Sequence, residues 1–177
     1  NKQFYLSMVV ALSICEAVDQ LTGLNTTIKW PNDIYYQKQK LGGILIVNQM
    51  MGMKWTGCVV GIGLNVNQIA FDPELPNPCS LRMATQKLFS LEEVLSAVLM
   101  QLEHNYNQLL RSAAWEDIHN LYHQKLLGWQ QEVEYQTEDN EEMCSGRLLG
   151  VDDTGRILLE KNGITTRFAN GEIRLRY

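Results

Sequence analysis

The sequence predicts an α+β fold, with a helix-and-strand region over residues 1–127 and a small all-β module over residues 128–177. The first observation behind this is a change of period near Gly128: apolar residues recur at helical spacing before it and at every second position after it. The second is the set of turns that follows, Asp152-Asp153-Thr154-Gly155, Lys161-Asn162-Gly163 and Asn170-Gly171, whose Asn-Gly pairs are signals for tight hairpins. The third is composition. With 177 residues, 45% of them apolar and 20% charged, the chain can bury a real core, which excludes a disordered polypeptide.

The opening stretch places Leu6, Val9, Val10, Ile14, Ala17, Val18 and Leu21 on one helical stripe, closed by Gly23. Thr26 to Trp30 then reads as a short strand, stopped at Pro31 because proline has no N–H to donate and restrains the residue before it. Past the turn at Asn32 and Asp33, two strands, Ile34–Tyr36 and Leu41–Val47, flank the polar link Gln37-Lys38-Gln39-Lys40. Trp55–Val66 is apolar enough to be expected as a central strand. Pro73, Pro76 and Pro78 make a loop of Phe71–Ser80. Ser90 with Glu93 is a capping box ahead of a helix over Leu91–Leu109, and a second helix covers Ala114–Leu126. The remaining strands, around Val133–Tyr135, Arg147–Val151, Ile157–Glu160, Thr165–Phe168 and Ile173–Arg176, suggest a small β-barrel, because closure removes exposed edges economically.

Fifteen Lys and Arg against twenty Asp and Glu give a net charge of −5, the wrong sign for a protein that coats nucleic acid. No run of eighteen apolar residues suggests a bilayer span. Cys15, Cys58, Cys79 and Cys144 show no metal-type spacing, so reduced thiols in a cytoplasmic protein are expected. The chain opens at Asn1 within a helical pattern, which reads as a fragment continued upstream.

Three clusters could carry chemistry. Lys29-Trp30-Pro31-Asn32-Asp33 sets a carboxamide and a carboxylate on a rigid turn at a strand end, where they can converge on a ligand or simply form a turn. Lys40-Leu41-Gly42-Gly43-Ile44-Leu45 puts a lysine before a glycine pair that lets something approach the backbone, or serves as a hairpin with a solvated lysine. Gly61-Ile62-Gly63-Leu64-Asn65 alternates glycine and apolar residues. It is not a dinucleotide fingerprint, since it lacks a third glycine and ends a strand instead of opening a helix.

In this order the three clusters, with Cys79-Ser80-Leu81 and the ending Gly171-Glu172-Ile173-Arg174-Leu175-Arg176, resemble the biotin protein ligases across nearly the whole chain. The resemblance implies a mixed-sheet catalytic domain of the class II aminoacyl-tRNA synthetase and biotin ligase type, incomplete here, followed by a Src-homology-3-like barrel. It also implies biotin and ATP as substrates, with Mg2+ accompanying ATP, and a lysine of a biotin carboxyl carrier protein as acceptor. In that family the lysine matching Lys40 reaches the carboxylate and phosphate oxygens. Asn32 and Asn65 match adenylate contacts, Asp33 matches an acidic partner that orients Lys40 or magnesium, and Gly43, Gly61 and Ile62 match backbone lining the biotin tail. The family's Ser-Thr-Asn segment and its Gly-Arg-Gly-Arg-type loop do not occur in these 177 residues, so little adenylate synthesis is expected of this chain by itself. A nucleic-acid partner is expected only with an upstream helix-turn-helix. A lipoate protein ligase, or a non-catalytic biotin-binding or regulatory module, is the alternative.

Other features read as structural. Glu116, His119 and His123 lie at metal-compatible helical spacing but are expected on a solvated helix face, and no metal site is expected. His104 reads likewise, Cys58 as a core thiol, and the acidic run from Glu132 to Glu142 as a solvated loop; Arg176 is a weaker functional candidate through the family's C-terminal module.

Overall fold

The computed structural model describes residues 3–52, 54–110, 115–138 and 140–177. Its elements are α1 (Gln3–Thr22), β1 (Thr26–Lys29), β2 (Asp33–Tyr36), β3 (Gln39–Met51), β4 (Lys54–Leu64), α2 (Leu81–Thr85), α3 (Leu91–Leu109), α4 (Trp115–Lys125), β5 (Glu132–Thr137), β6 (Asn140–Val151), β7 (Ile157–Lys161), β8 (Ile164–Phe168) and β9 (Ile173–Arg176). The architecture is α+β. Of the predicted second helix, Ala114 lies outside the described residues.

Helix α1 is long and apolar enough to cross a membrane, yet eleven of its residues, Met8 through Cys15 among them, are buried in the core. Gly23 ends it with φ +74, its N–H donating to the Asp19 carbonyl at 2.8 Å. The first sheet lies against α1 with strand order β1-β2-β3-β4. Its ladders are all antiparallel, where a mixed sheet was expected, because the links between these strands are too short for a parallel crossover. Strand β4 is an edge among the described residues and pairs only with β3, which corrects its expected central place. Its Val59 and the facing Leu45 and Val47 are more than half exposed.

Helix α3 packs on α1, burying Val94 and Val98, and Ser90 caps it as the sequence predicted, its Oγ accepting the Glu93 N–H at 3.4 Å. Helix α2 was not expected. It forms where Ser80 accepts the Met83 N–H at 3.1 Å and donates to the Gln68 carbonyl at 2.6 Å.

The second sheet has the order β8-β7-β6-β5-β9, antiparallel throughout. No ladder joins β8 to β9 among the described residues, so the predicted closure is not seen as a complete ring. Residues of the acidic run belong to β5 and β6 instead of a loop, because alternate positions Val133 and Tyr135 are buried while Glu132 and Glu134 face water. The inward residues of this sheet join the same apolar cluster as α1. Polar bonds reinforce the junction: Trp30 Nε1 donates to the Gly155 carbonyl at 2.9 Å and the Tyr5 hydroxyl to Asp153 at 2.9 Å.

Candidate active site

Strand β1 must end before Pro31, and a cis Trp30–Pro31 peptide leads through Asn32 into β2. Asn32 fastens this corner to β3 twice. Its carbonyl accepts the Ile44 N–H at 2.8 Å and its Nδ2 donates to the Ile44 carbonyl at 2.7 Å. The next residue, Asp33, is therefore held directly across from Gly43.

Cross-strand partners share a sheet face, so the register shows which residues meet. Asp33 pairs with both Lys29 and Gly43, and Gly43 pairs with Gly63. Between the pairs Ile34–Gly42 and Tyr35–Lys40 the ladder slips, leaving Leu41 as an extra residue on β3. That bulge is decisive, because it turns Lys40 onto the face of Tyr35 and Asp33 while Leu41 is wholly buried toward α1. Lys40 Nζ then meets Asp33 Oδ1 at 2.6 Å, with the two side chains 41% and 23% exposed. The pair is anchored yet open to a ligand.

Gly43 lies against this ion pair. A Cβ there would stand 3.1 Å from Asp33 Oδ1 and 3.7 Å from Lys40 Nζ, so only glycine leaves the carboxylate and ammonium unobstructed. Gly61, cross-strand from Leu45, lies on the same face two positions along. Gly43, Gly63 and Gly61 thus form a strip without side chains leading away from the charged pair, bordered by Leu45, Val47 and Val59.

Other predicted residues lie elsewhere. Ile62 pairs with Ile44 and takes the α1 face. Asn65 is near Lys40 through a shared support: its Nδ2 donates to the Cys79 carbonyl at 3.0 Å, while the Cys79 N–H donates to the Lys40 carbonyl at 2.8 Å. Asn32 borders a separate cleft of about 730 Å³, whose lining includes Arg167 of β8, Arg156 and Asn170 of the second sheet's connections and neither Asp33 nor Lys40. The amides of Asn32 and Asn65 each use one N–H on backbone, which sequence alone did not reveal.

The histidine reading is corrected. His123 is 9% exposed, its Nε2 accepts the Val151 N–H at 2.8 Å, and its ring stacks on Trp129 with centroids 6.0 Å apart. Burial, then the neighbouring His119, push its pKa down to about 4. The site also has a member that the first cluster contained without a role of its own, Lys29, whose Nζ lies 5.0 Å from the Tyr35 ring centroid and 5.6 Å from that of Tyr177.

Comparison with known proteins gives this geometry a context. Residues 1–65, which contain all three clusters, match the biotin/lipoate A/B protein ligase family. The chain is 29% identical over 173 residues to the bifunctional ligase/repressor BirA of Bacillus subtilis, covering 96% of this chain and 52% of that protein. The apo structure of biotin protein ligase from Aquifex aeolicus superposes with a TM-score of 0.79 at 29% identity, over 99% of this chain and 76% of that one. The chain is similar to biotin protein ligases over nearly its whole length. Another of its structural relatives is the Aquifex aeolicus biotin protein ligase in complex with biotin and ATP, at a TM-score of 0.79 and 28% identity, over 99% of this chain and 72% of that one. Like the family's Arabidopsis thaliana biotin–protein ligase 2, of which the chain covers 56% at 29% identity, the Bacillus relative is longer: the chain spans about half the length of each.

Proposed function

We propose that this chain carries part of the site of an ATP-dependent ligase that attaches biotin to a lysine of a biotin carboxyl carrier protein through biotinyl-5′-AMP. The observation that carries the reading is the Asp33–Lys40 pair standing at the end of the Gly43–Gly63–Gly61 strip. An apolar tail ending in a carboxylate fits that shape, with its tail on the glycine strip and its carboxylate at Lys40. In the first half-reaction the carboxylate oxygen attacks the α-phosphorus of MgATP and pyrophosphate leaves. In the second the acceptor amine attacks the mixed-anhydride carbonyl and AMP leaves. Negative charge gathers on non-bridging oxygens in both transition states, and a positioned ammonium at Lys40 stabilises them more than the ground states. Asp33 orients that ammonium, and the part of the Asn65 amide not used on the Cys79 carbonyl is left for the nucleotide. The five-strand order of the second sheet is compatible with a Src-homology-3-like barrel, and the first sheet with α1 with a class II synthetase-type domain; we place the boundary at Gly128.

Because little adenylate synthesis is expected of this chain by itself, the test incubates it at high concentration with biotin and MgATP, with lipoate as the control acid, and detects trace acyl-adenylate by mass spectrometry before adding carrier protein. Biotinyl-adenylate formed by wild type and lost in Lys40→Ala supports the reading. Adenylate of lipoate alone, or equal product from Lys40→Ala, refutes it.

A further inference from the structure

Lys29 stands beside the proposed reaction centre without a role in it. It is the cross-strand partner of Asp33, so both side chains leave the sheet on the face that carries Lys40. Its ammonium is fixed from two sides. Nζ donates to the Tyr35 hydroxyl at 3.3 Å and lies over the Tyr35 ring, while the Tyr177 ring, at the end of β9, covers it from the other side. Lys40 differs: among the described residues its ammonium forms an ion pair with Asp33 alone and its side chain is 41% exposed, so it is free to move.

We propose that Lys29 is a positioning residue for Lys40, a fixed second cation that keeps Asp33 electrically balanced when the Lys40 ammonium turns from it to substrate oxygens. The need is electrostatic. A half-buried carboxylate that loses its only cation becomes an uncompensated charge and pulls that cation back, which would hold Lys40 away from the substrate. A lysine clamped between two rings cannot follow the substrate, so its charge stays with Asp33 throughout. The substrate end of this inference rests on the function proposed above; the charge arrangement does not.

The groups facing Lys29 are Asp33 and Tyr35 of β2, Lys40 of β3, and Arg176 and Tyr177 of β9 and its end. Burial lowers its pKa from the ordinary lysine value, Asp33 opposes that shift, and Lys40 and Arg176 add to it. The coupling is therefore measurable without turnover. In the full chain labelled with 13C at lysine Cε, the Lys29 titration midpoint should rise by about half a unit in Lys40→Met and fall by about as much in Asp33→Asn. It should stay in place in Lys38→Met. Midpoints that do not move in either of the first two variants overturn the proposal.

A second arm measures biotin adenylation. Lys29→Met should lower kcat about tenfold with the KM for biotin within about twofold, because the change acts on Lys40 in the transition state and not on binding of the tail. Lys29→Arg keeps both the charge and the ring contacts and should restore the rate. It should also carry activity further into alkaline pH, since arginine does not titrate there. A Lys29→Arg enzyme as impaired as Lys29→Met, or a loss confined to KM, overturns the positioning role. Coupled midpoints in a chain whose adenylate yield is unchanged by Lys40→Ala would support the shared carboxylate and count against the functional reading instead.

Discussion

Acidification should loosen the joint between α4 and β6 through one side chain. His123 holds the Val151 N–H with its neutral Nε2, so the bond requires the imidazole to be unprotonated at that nitrogen. In the folded chain its pKa is about 4, against 6.5 for an unperturbed histidine. Protonation is thus disfavoured by folding, and the stability tied to the neutral ring is complete above pH 6.5 and disappears as pH falls through about 4. The difference of 6.5 and about 4 corresponds to about 3 kcal/mol at 1.36 kcal/mol per unit. His123→Phe keeps a ring against Trp129 but has no acceptor, leaving the Val151 N–H without its partner at a cost of about 1–3 kcal/mol at neutral pH. Urea unfolding followed by tryptophan fluorescence at pH 7, 6, 5 and 4 compares the two proteins. The wild type should lead at pH 7 and lose that lead by pH 4; carboxylate titration is common to both and cancels. Stability curves that run parallel over this range would refute the role given to His123.

Lys40→Ala should cost about 3 kcal/mol of transition-state stabilisation, about a hundredfold in biotin transfer, with unchanged circular dichroism. Arginine should not restore it, since a planar guanidinium does not reproduce a point charge beside Gly43, while Lys38→Ala should be near neutral in the same timed assay. The adjacent glycines should separate fold from site. Gly42→Ala drives a Cβ into the Gly63 carbonyl and should lower the thermal midpoint through a loss of about 2 kcal/mol or more, whereas Gly43→Ala meets only the tips of Asp33 and Lys40 and should keep the fold but weaken biotin binding in calorimetry. Trp30→Phe removes the bond to the Gly155 carbonyl and should cost about 1 kcal/mol in urea unfolding.

What the sequence could show depended on whether the cause was local. The hairpin linking β2 to β3, the Ser90 cap and the alternation after Gly128 are written in neighbouring residues, and the structure has them there. His123 was read as solvated because its burial comes from β6, 28 positions away, where Gly150 adopts φ +134 and leaves the space a side chain would take to the imidazole. Strand β4 was expected in the middle of a sheet from its apolarity. Among the described residues only its Val59 joins Leu45 and Val47 on the face that carries Asp33 and Lys40, while Val60, Ile62 and Leu64 take the α1 face, and period and composition cannot distinguish such an edge strand from a central one.

The site itself was legible as a set of residues but not as an arrangement. In an unbroken ladder from Asp33–Gly43, Leu41 would oppose Tyr35 and Lys40 would leave the opposite face of β3, toward α1. One inserted residue reverses this: Leu41 goes into the core, Lys40 comes to Asp33, and the lysine and the glycine strip end on the same side of one sheet. Two glycines in succession then serve opposite sides. Gly42 lets β3 and β4 approach where a Cβ would strike backbone, and Gly43 leaves room in front of the ion pair. A slip of register is therefore what turns a motif into a charged pocket: deleting Leu41 should leave Lys40 opposite Tyr35 on the Asp33 face of a now regular ladder, but empty the core site that Leu41 fills, and so should cost about 2–5 kcal/mol in urea unfolding.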